Sequence, residues 1–186
     1  MIKRAVTFFV IVAAALVLLV TVAVRAQPSS QAATQEVPDN PAPHPAPAQP
    51  LPFSHSTHQA SGLECETCHA NPDPGDQMTF PATGTCMLCH STVATDSPAI
   101  VRLAEFVGSS QPVPWVRVYR VMPGVTWTHR THLQAGMRCA MCHGDVTQGD
   151  AMAEITSVRA MASCISCHDA HQARNTCQTC HAWPAN

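Results

Sequence analysis

The sequence predicts a mostly irregular chain with short α-helices, held by bound groups rather than by an apolar core, and preceded by one N-terminal hydrophobic helix. Three observations lead there. The 186 residues include ten cysteines, eleven histidines and sixteen prolines, but a single tyrosine and only 12% charged residues. Every cysteine falls in one repeated motif, and an uncharged run occupies the N-terminus. A chain of this size and make-up forms one domain or two small ones, and cannot bury enough apolar surface to stabilise itself without covalent or metal staples.

Residues 1–26 set the compartment. Lys3 and Arg4 precede Ala5–Val24, a run with no charge and with only Thr7 and Thr21 as polar interruptions. As a helix it would span about 30 Å, enough to cross a bilayer. The run is long for a secretory h-region, although Val24-Arg25-Ala26 would suit cleavage before Gln27. A retained membrane anchor is the favoured reading and a cleaved signal the rival. Both place the basic residues inside and the remainder outside. The expected location is therefore the periplasmic, extracytoplasmic face of the inner membrane.

Residues 27–52 hold eight of the sixteen prolines, as in "PAPHPAPAQPLP". Alternating Pro and Ala favours extended polyproline II, so this segment reads as a Pro/Ala-rich linker holding the folded part off the membrane. His44 within it reads as a solvated bystander.

Beyond the linker, Cys-x-x-Cys-His occurs five times, as "CETCH" (Cys65, Cys68, His69), "CMLCH" (Cys86, Cys89, His90), "CAMCH" (Cys139, Cys142, His143), "CISCH" (Cys164, Cys167, His168) and "CQTCH" (Cys177, Cys180, His181). Zinc knuckles or disulfides could use such paired cysteines, but neither demands a histidine directly after every pair. Covalent attachment of c-type haem does. The two thiols add to the haem vinyl groups, and the adjoining histidine binds iron. Five covalently bound haems, each with its iron, are therefore expected, and export suits their installation.

The segment "FSHSTHQASGLECETCH" (Phe53–His69) aligns without a gap on "WTHRTHLQAGMRCAMCH" (Trp127–His143), an internal duplication. Each copy places an aromatic residue before a His-x-x-His pair. Residues three apart lie on one helix face with Cβ atoms about 5–6 Å apart, so two such histidines cannot grip opposite faces of one porphyrin. They can serve two irons, which makes each pair a stitch between neighbouring haems. Setting aside the motif histidines and His44 leaves His55, His58, His129, His132 and His171, one distal candidate per iron. Met78, Met122, Met152 and Met161 are the alternatives.

These residues resemble the class III multihaem cytochromes c, in which an aromatic-x-His-x-x-His element precedes the first haem site. The resemblance implies that His55 serves the haem at His69 and His58 a later one, most simply that at His90. It likewise pairs His129 with His143 and His132 with His168, and leaves His171 for the haem at His181. The segment "PVPWVRVYRVMPGVTWTHRTHLQAGMRCAMCHGDV" (Pro112–Val146) is similar to the membrane-anchored pentahaem subunit of alternative complex III and of related quinone reductase complexes. The likeness covers Phe53–His69 and about Trp115–His181. It implies protein partners in a quinol-oxidising or quinone-reducing complex, together with periplasmic redox carriers.

The fold class expected is thus a haem-organised multihaem cytochrome c. Its parts are a dihaem module (53–92), a connecting helix and loop (93–112) and a trihaem module (113–186). Ser97-Pro98 marks a helix start, Ile100, Val101, Leu103, Ala104 and Phe106 an apolar stripe, and Gly108 a stop. "PWVRVYRVMP" has strand-forming residues between prolines, with Arg117 and Arg120 free to meet haem propionates, a partner or solvent. The formal net charge of −2 and the lack of a basic patch exclude nucleic acid as a partner. Haems gripped from both sides pass electrons but bind no substrate, so the expected role is electron transfer between a quinol-linked membrane complex and periplasmic acceptors, without catalysis by this chain. A freestanding soluble carrier is one alternative. A multihaem reductase of a small oxyanion is another, if one haem is five-coordinate.

Overall fold

The computed structural model describes residues 33–149 and 151–182. The N-terminal segment expected to anchor the chain lies outside them. None of the described helices is long and apolar enough to cross a membrane. The described residues form eight helices: α1 (His55–Ala60), α2 (Cys65–Cys68), α3 (Thr83–His90), α4 (Pro98–Gly108), α5 (His129–Gln134), α6 (Cys139–His143), α7 (Met161–Ala170) and α8 (Cys177–Cys180). Among the described residues, extended pairing is limited to two isolated bridges, Asp39 with Thr156 and Val125 with His181.

Each Cys-x-x-Cys lies on one turn of helix, in α2, α3, α6, α7 and α8. This puts both sulfurs of a motif on the same face, as one porphyrin edge requires. The duplicated segments fold alike. In each, a hydroxyl residue caps the histidine helix: Ser54 Oγ accepts from Thr57 N at 3.2 Å, and Thr128 Oγ1 accepts from Arg130 N at 3.0 Å. Both helices then turn at the shared glycine, Gly62 (φ +81°) and Gly136 (φ +89°), a left-handed conformation in which a Cβ would be strained.

The longest helix, α4, begins at the Ser97-Pro98 pair and ends at Gly108. Its Leu103 is 3% exposed and joins Leu51 and Val113 in a small cluster backed by Cys86, Met87, Ile100, Phe106 and Trp115. With Val37 added, these are the buried hydrophobic residues of the described chain. So small a core cannot order the loops by itself, which leaves that work to bound groups.

Two expectations are corrected. "PWVRVYRVMP" forms no strand, because Pro112, Pro114 and Pro123 interrupt its donors and no second strand lies beside it. The Gln49 side chain takes the place of a strand partner, giving Nε2–H to Val116 O and receiving Val116 N–H, both at 2.9 Å. Nor does the proline-rich linker stand clear of the body. Glu36 N and Val37 N both donate to Met141 O at 3.0 Å, Asn40 N donates to Ile155 O at 2.8 Å, and Pro38 O accepts from Ser157 N at 2.9 Å. Val37 is buried and so is Leu51. The strap forms because the residues between the prolines keep free N–H and C=O groups, and an irregular body has matching groups to offer. His44 is exposed within the strap.

Candidate haem centres

Four pairs of imidazoles face each other across the body. His55 and His69 have ring centroids 6.5 Å apart, His58 and His90 6.1 Å, His129 and His143 6.3 Å, and His132 and His168 6.1 Å. A metal–nitrogen bond is about 2 Å and the nitrogen lies about 1.1 Å from the ring centre, so two imidazoles on one iron put their centroids about 6.2 Å apart. The spacing fits an iron between each pair. The rings of the first and third pairs are nearly parallel, at 18° and 15°, whereas those of the second and fourth are tilted by 62° and 50°.

The ring nitrogens are oriented for the same purpose. Nδ1 donates to a backbone carbonyl in His58 (Ser54 O, 2.8 Å), His69 (Thr79 O, 2.8 Å), His90 (Val93 O, 3.0 Å) and His129 (Asp76 O, 3.2 Å). The same holds for His132 (Thr128 O, 2.9 Å), His168 (Arg174 O, 2.5 Å) and His181 (Gly124 O, 3.1 Å). A donating Nδ1 fixes the tautomer and leaves Nε2 as the lone-pair nitrogen, the arrangement that metal-ligating histidines adopt. Ser54 and Thr128 thus do two things each. Their hydroxyls cap the helix, and their carbonyls aim the second histidine of the pair.

The aromatic residue ahead of each pair completes the orientation. Phe53 stacks on His58 (4.3 Å, 23°) and meets His55 edge-on (5.0 Å, 81°). Trp127 does the same to His132 (5.2 Å, 27°) and His129 (4.2 Å, 80°). One flat ring therefore lies along one imidazole and across the other, so neighbouring histidines on one helix are turned to address different irons.

Burial favours the ligating, neutral form of the rings. Desolvation, followed by the charges His69 and His58 would carry, lowers the proton affinity of His55. Desolvation also lowers that of His129, against a smaller opposing effect of its bond to Asp76. His143 is pushed down to about 4, first by desolvation and then by His129 and His69. Tyr119 packs edge-on against the His143 ring at 4.9 Å, and its hydroxyl accepts from the backbone N–H of Thr156 at 3.2 Å. Thr156 is fully buried and donates to Cys142 O at 2.7 Å, which ties the third motif to this support.

His171 is not in a facing pair. Its Nε2, the nitrogen a metal would need, lies 2.6 Å from Glu36 Oε2, and the same carboxylate oxygen is 3.6 Å from Cys167 Sγ. The strap supplies Glu36, so His171 meets the N-terminal segment rather than the ring of His181. Arg117 stands 4.7 Å over the Phe80 ring, a cation–π contact beside the first motif. No disulfide joins any of the ten cysteines.

Sequence reasoning singled out the histidines and cysteines but not their supports. It missed the carbonyls of Ser54 and Thr128, the stacking by Phe53 and Trp127, Tyr119, and the strap carboxylate of Glu36. The gapless duplication carried the signal for the first four, since Phe/Trp and Ser/Thr recur at matching positions. Nothing local marked Tyr119 or Glu36.

Five Cys-x-x-Cys-His turns, four of them with a second imidazole opposite the motif histidine, define a multihaem cytochrome c. Residues 29–105 match the Class III cytochrome C family and residues 125–182 match cytochrome c7 and related cytochrome c. It is also similar to the menaquinone reductase, multiheme cytochrome c subunit of Nitratidesulfovibrio vulgaris, 35% identical over 115 residues, which cover 55% of this chain and 54% of that protein. The match thus spans about half the length of that relative. Haem supplies one-electron chemistry through its iron, and electron transfer is the function of this class.

Proposed function

We propose that this chain is an exported pentahaem cytochrome c that carries electrons between a quinol-linked membrane complex and periplasmic acceptors, tethered by residues 5–24. The observation that carries the reading is the four facing imidazole pairs at 6.1–6.5 Å. Filling both axial positions of an iron leaves no place for a substrate, so the residues at these sites hold, orient and insulate a conductor. His69, His90, His143 and His168 are the proximal ligands, and His55, His58, His129 and His132 the distal ones. The paired cysteines of each motif form the thioethers. At the fifth site His181 would be proximal, and His171 would have to give up its bond to Glu36 to hold the iron. Ligation by two imidazoles lacks the potential-raising effect of methionine, which suits a partner that handles quinol. The relative's name, a menaquinone reductase subunit, supports a place in a complex of that kind.

The test is gentle detergent extraction of the native membrane, followed by mass spectrometry. The expected result is a chain carrying five haem increments and co-purifying with a quinone-reactive complex. A lone monomer starting at Gln27 would instead support a freestanding periplasmic carrier. The exception at His171 favours a second reading in one respect, since a fifth iron left open could bind a small oxyanion. A spectral shift on adding nitrite to the oxidised holoprotein would favour that reductase reading.

A further inference from the structure

We infer that the five sites follow one another in space as second, first, third, fourth, fifth, so that Cys86–His90 and Cys177–His181 are the two ends of the conductor and the junction between modules is the contact of the first site with the third. The inference rests on the proposed ligation and adds the order.

The His-x-x-His helices give two of the four links. One turn of α1 carries His55 and His58, which face His69 and His90, so the first and second sites adjoin. One turn of α5 carries His129 and His132, which face His143 and His168, so the third and fourth sites adjoin. Neither helix says which site bridges the modules.

The loop between α2 and α3 does. Its Thr79 carbonyl holds the proximal histidine of the first site, His69, at 2.8 Å. Its Gly75 carbonyl receives both the backbone N–H of His129 (2.8 Å) and the hydroxyl of Thr128 (3.1 Å), while Asp76 O holds His129 Nδ1 at 3.2 Å. Asp73 of the same loop pairs with Arg130 Nη2 at 2.6 Å. One short segment therefore grips a ligand of the first site and a ligand of the third. The approach is too close for a side chain, because a Cβ on Gly75 would lie 2.7 Å from Arg130 Cβ. The attachment points converge as well: Cys65, Glu66 and Cys139 bring their side-chain ligand atoms within 4.8 Å of one another.

Exposure marks the ends. Of the ten cysteines only Cys89 and Cys177 are exposed, and they belong to the second and fifth sites. Leu88, between the cysteines of the second site, is 81% exposed. The fifth site follows the fourth on a short turn after α7, and that turn holds the fourth site's ligand: Arg174 O accepts from His168 Nδ1 at 2.5 Å, and Asn175 Nδ2 donates to Asp169 Oδ1 just ahead of Cys177.

The test is His129→Met in the full holoprotein, followed site by site in a redox titration by NMR. A thioether at the third site raises its potential, so it is reduced first, and the electron it holds lowers the midpoints of its neighbours. The expected result is a downward shift at the first and fourth sites that exceeds any shift at the second and fifth. A larger shift at the second site than at the first overturns the order while leaving the ligation intact. A third site that keeps its two-imidazole spectrum removes the ligation on which the order rests. Should the variant lose haem, iron positions in a crystal structure of the wild-type holoprotein decide the matter. There the third iron must lie nearer to the first than to the second, and the reverse sinks the proposal.

Discussion

Thr128→Ala should destabilise the holoprotein about twice as much as Ser54→Ala, although the two residues hold the same place in the duplicated segments. Each is an N-cap, and loss of a capping hydroxyl costs about 1 kcal/mol. Ser54 Oγ otherwise bonds only within its own turn, to Ser56 Oγ and Thr57 Oγ1. Thr128 Oγ1 additionally donates to Gly75 O at 3.1 Å, fifty-three residues away along the chain. That bond joins the modules and contributes about 1 kcal/mol. The expected losses are therefore about 2 kcal/mol for Thr128→Ala and about 1 kcal/mol for Ser54→Ala. Guanidinium unfolding followed at the Soret band measures both, and an unchanged m-value would show that only stability moved. Because His132 is aimed by the Thr128 backbone carbonyl, the native low-spin spectrum should not change. Equal losses in the two variants would refute the claim that Thr128 links the modules. A disturbed native spectrum in Thr128→Ala would refute the division of labour between hydroxyl and carbonyl.

Arg159→Ala should cost about 2 kcal/mol, below the range for a fully buried pair. It strands Glu154, which is 10% exposed and takes both Nε and Nη2 of Arg159 at 2.9 and 2.7 Å, while Arg159 itself is a third exposed. Adding Glu154→Gln should recover part of the loss in the same unfolding assay, and no recovery would contradict a stranded charge. His171→Ala should convert one haem in five to a high-spin form seen by EPR, and five unchanged low-spin haems would show that His171 serves Glu36 alone. For pH, the sign follows from proton affinities lowered in the folded chain. His55, His129 and His143 are penalised for charging, so the stability they contribute is full above the ordinary histidine value of 6.5 and is lost as pH falls through the folded value, about 4 for His143. The third site should therefore stay low-spin on acidification below pH 6, and high-spin absorbance from this site above that pH would contradict the reading.

The chemistry of the chain was legible because it is local. A two-residue gap between cysteines, a histidine directly after, and two histidines three apart each lie within one helical turn, and helix geometry is the same in any context. The gapless duplication likewise announced two similar units, down to the glycine and the hydroxyl cap. The proline-rich segment misled for the opposite reason. Composition predicts that Gln35–Asn40 extends, but says nothing of what an extended segment will lie against. The strand-like "VRVYRV" failed similarly, since a strand needs a partner and the Gln49 amide answered Val116 instead.

What the sequence alone determined is where thiols and imidazoles sit along the chain, and therefore which prosthetic group they suit. Only the tertiary structure decided that Glu36 meets His171, and that one loop between α2 and α3 holds both His69 and His129. Those contacts join residues tens of positions apart. They depend on loops whose backbone groups find partners only once the modules pack, and no spacing in the sequence encodes that choice.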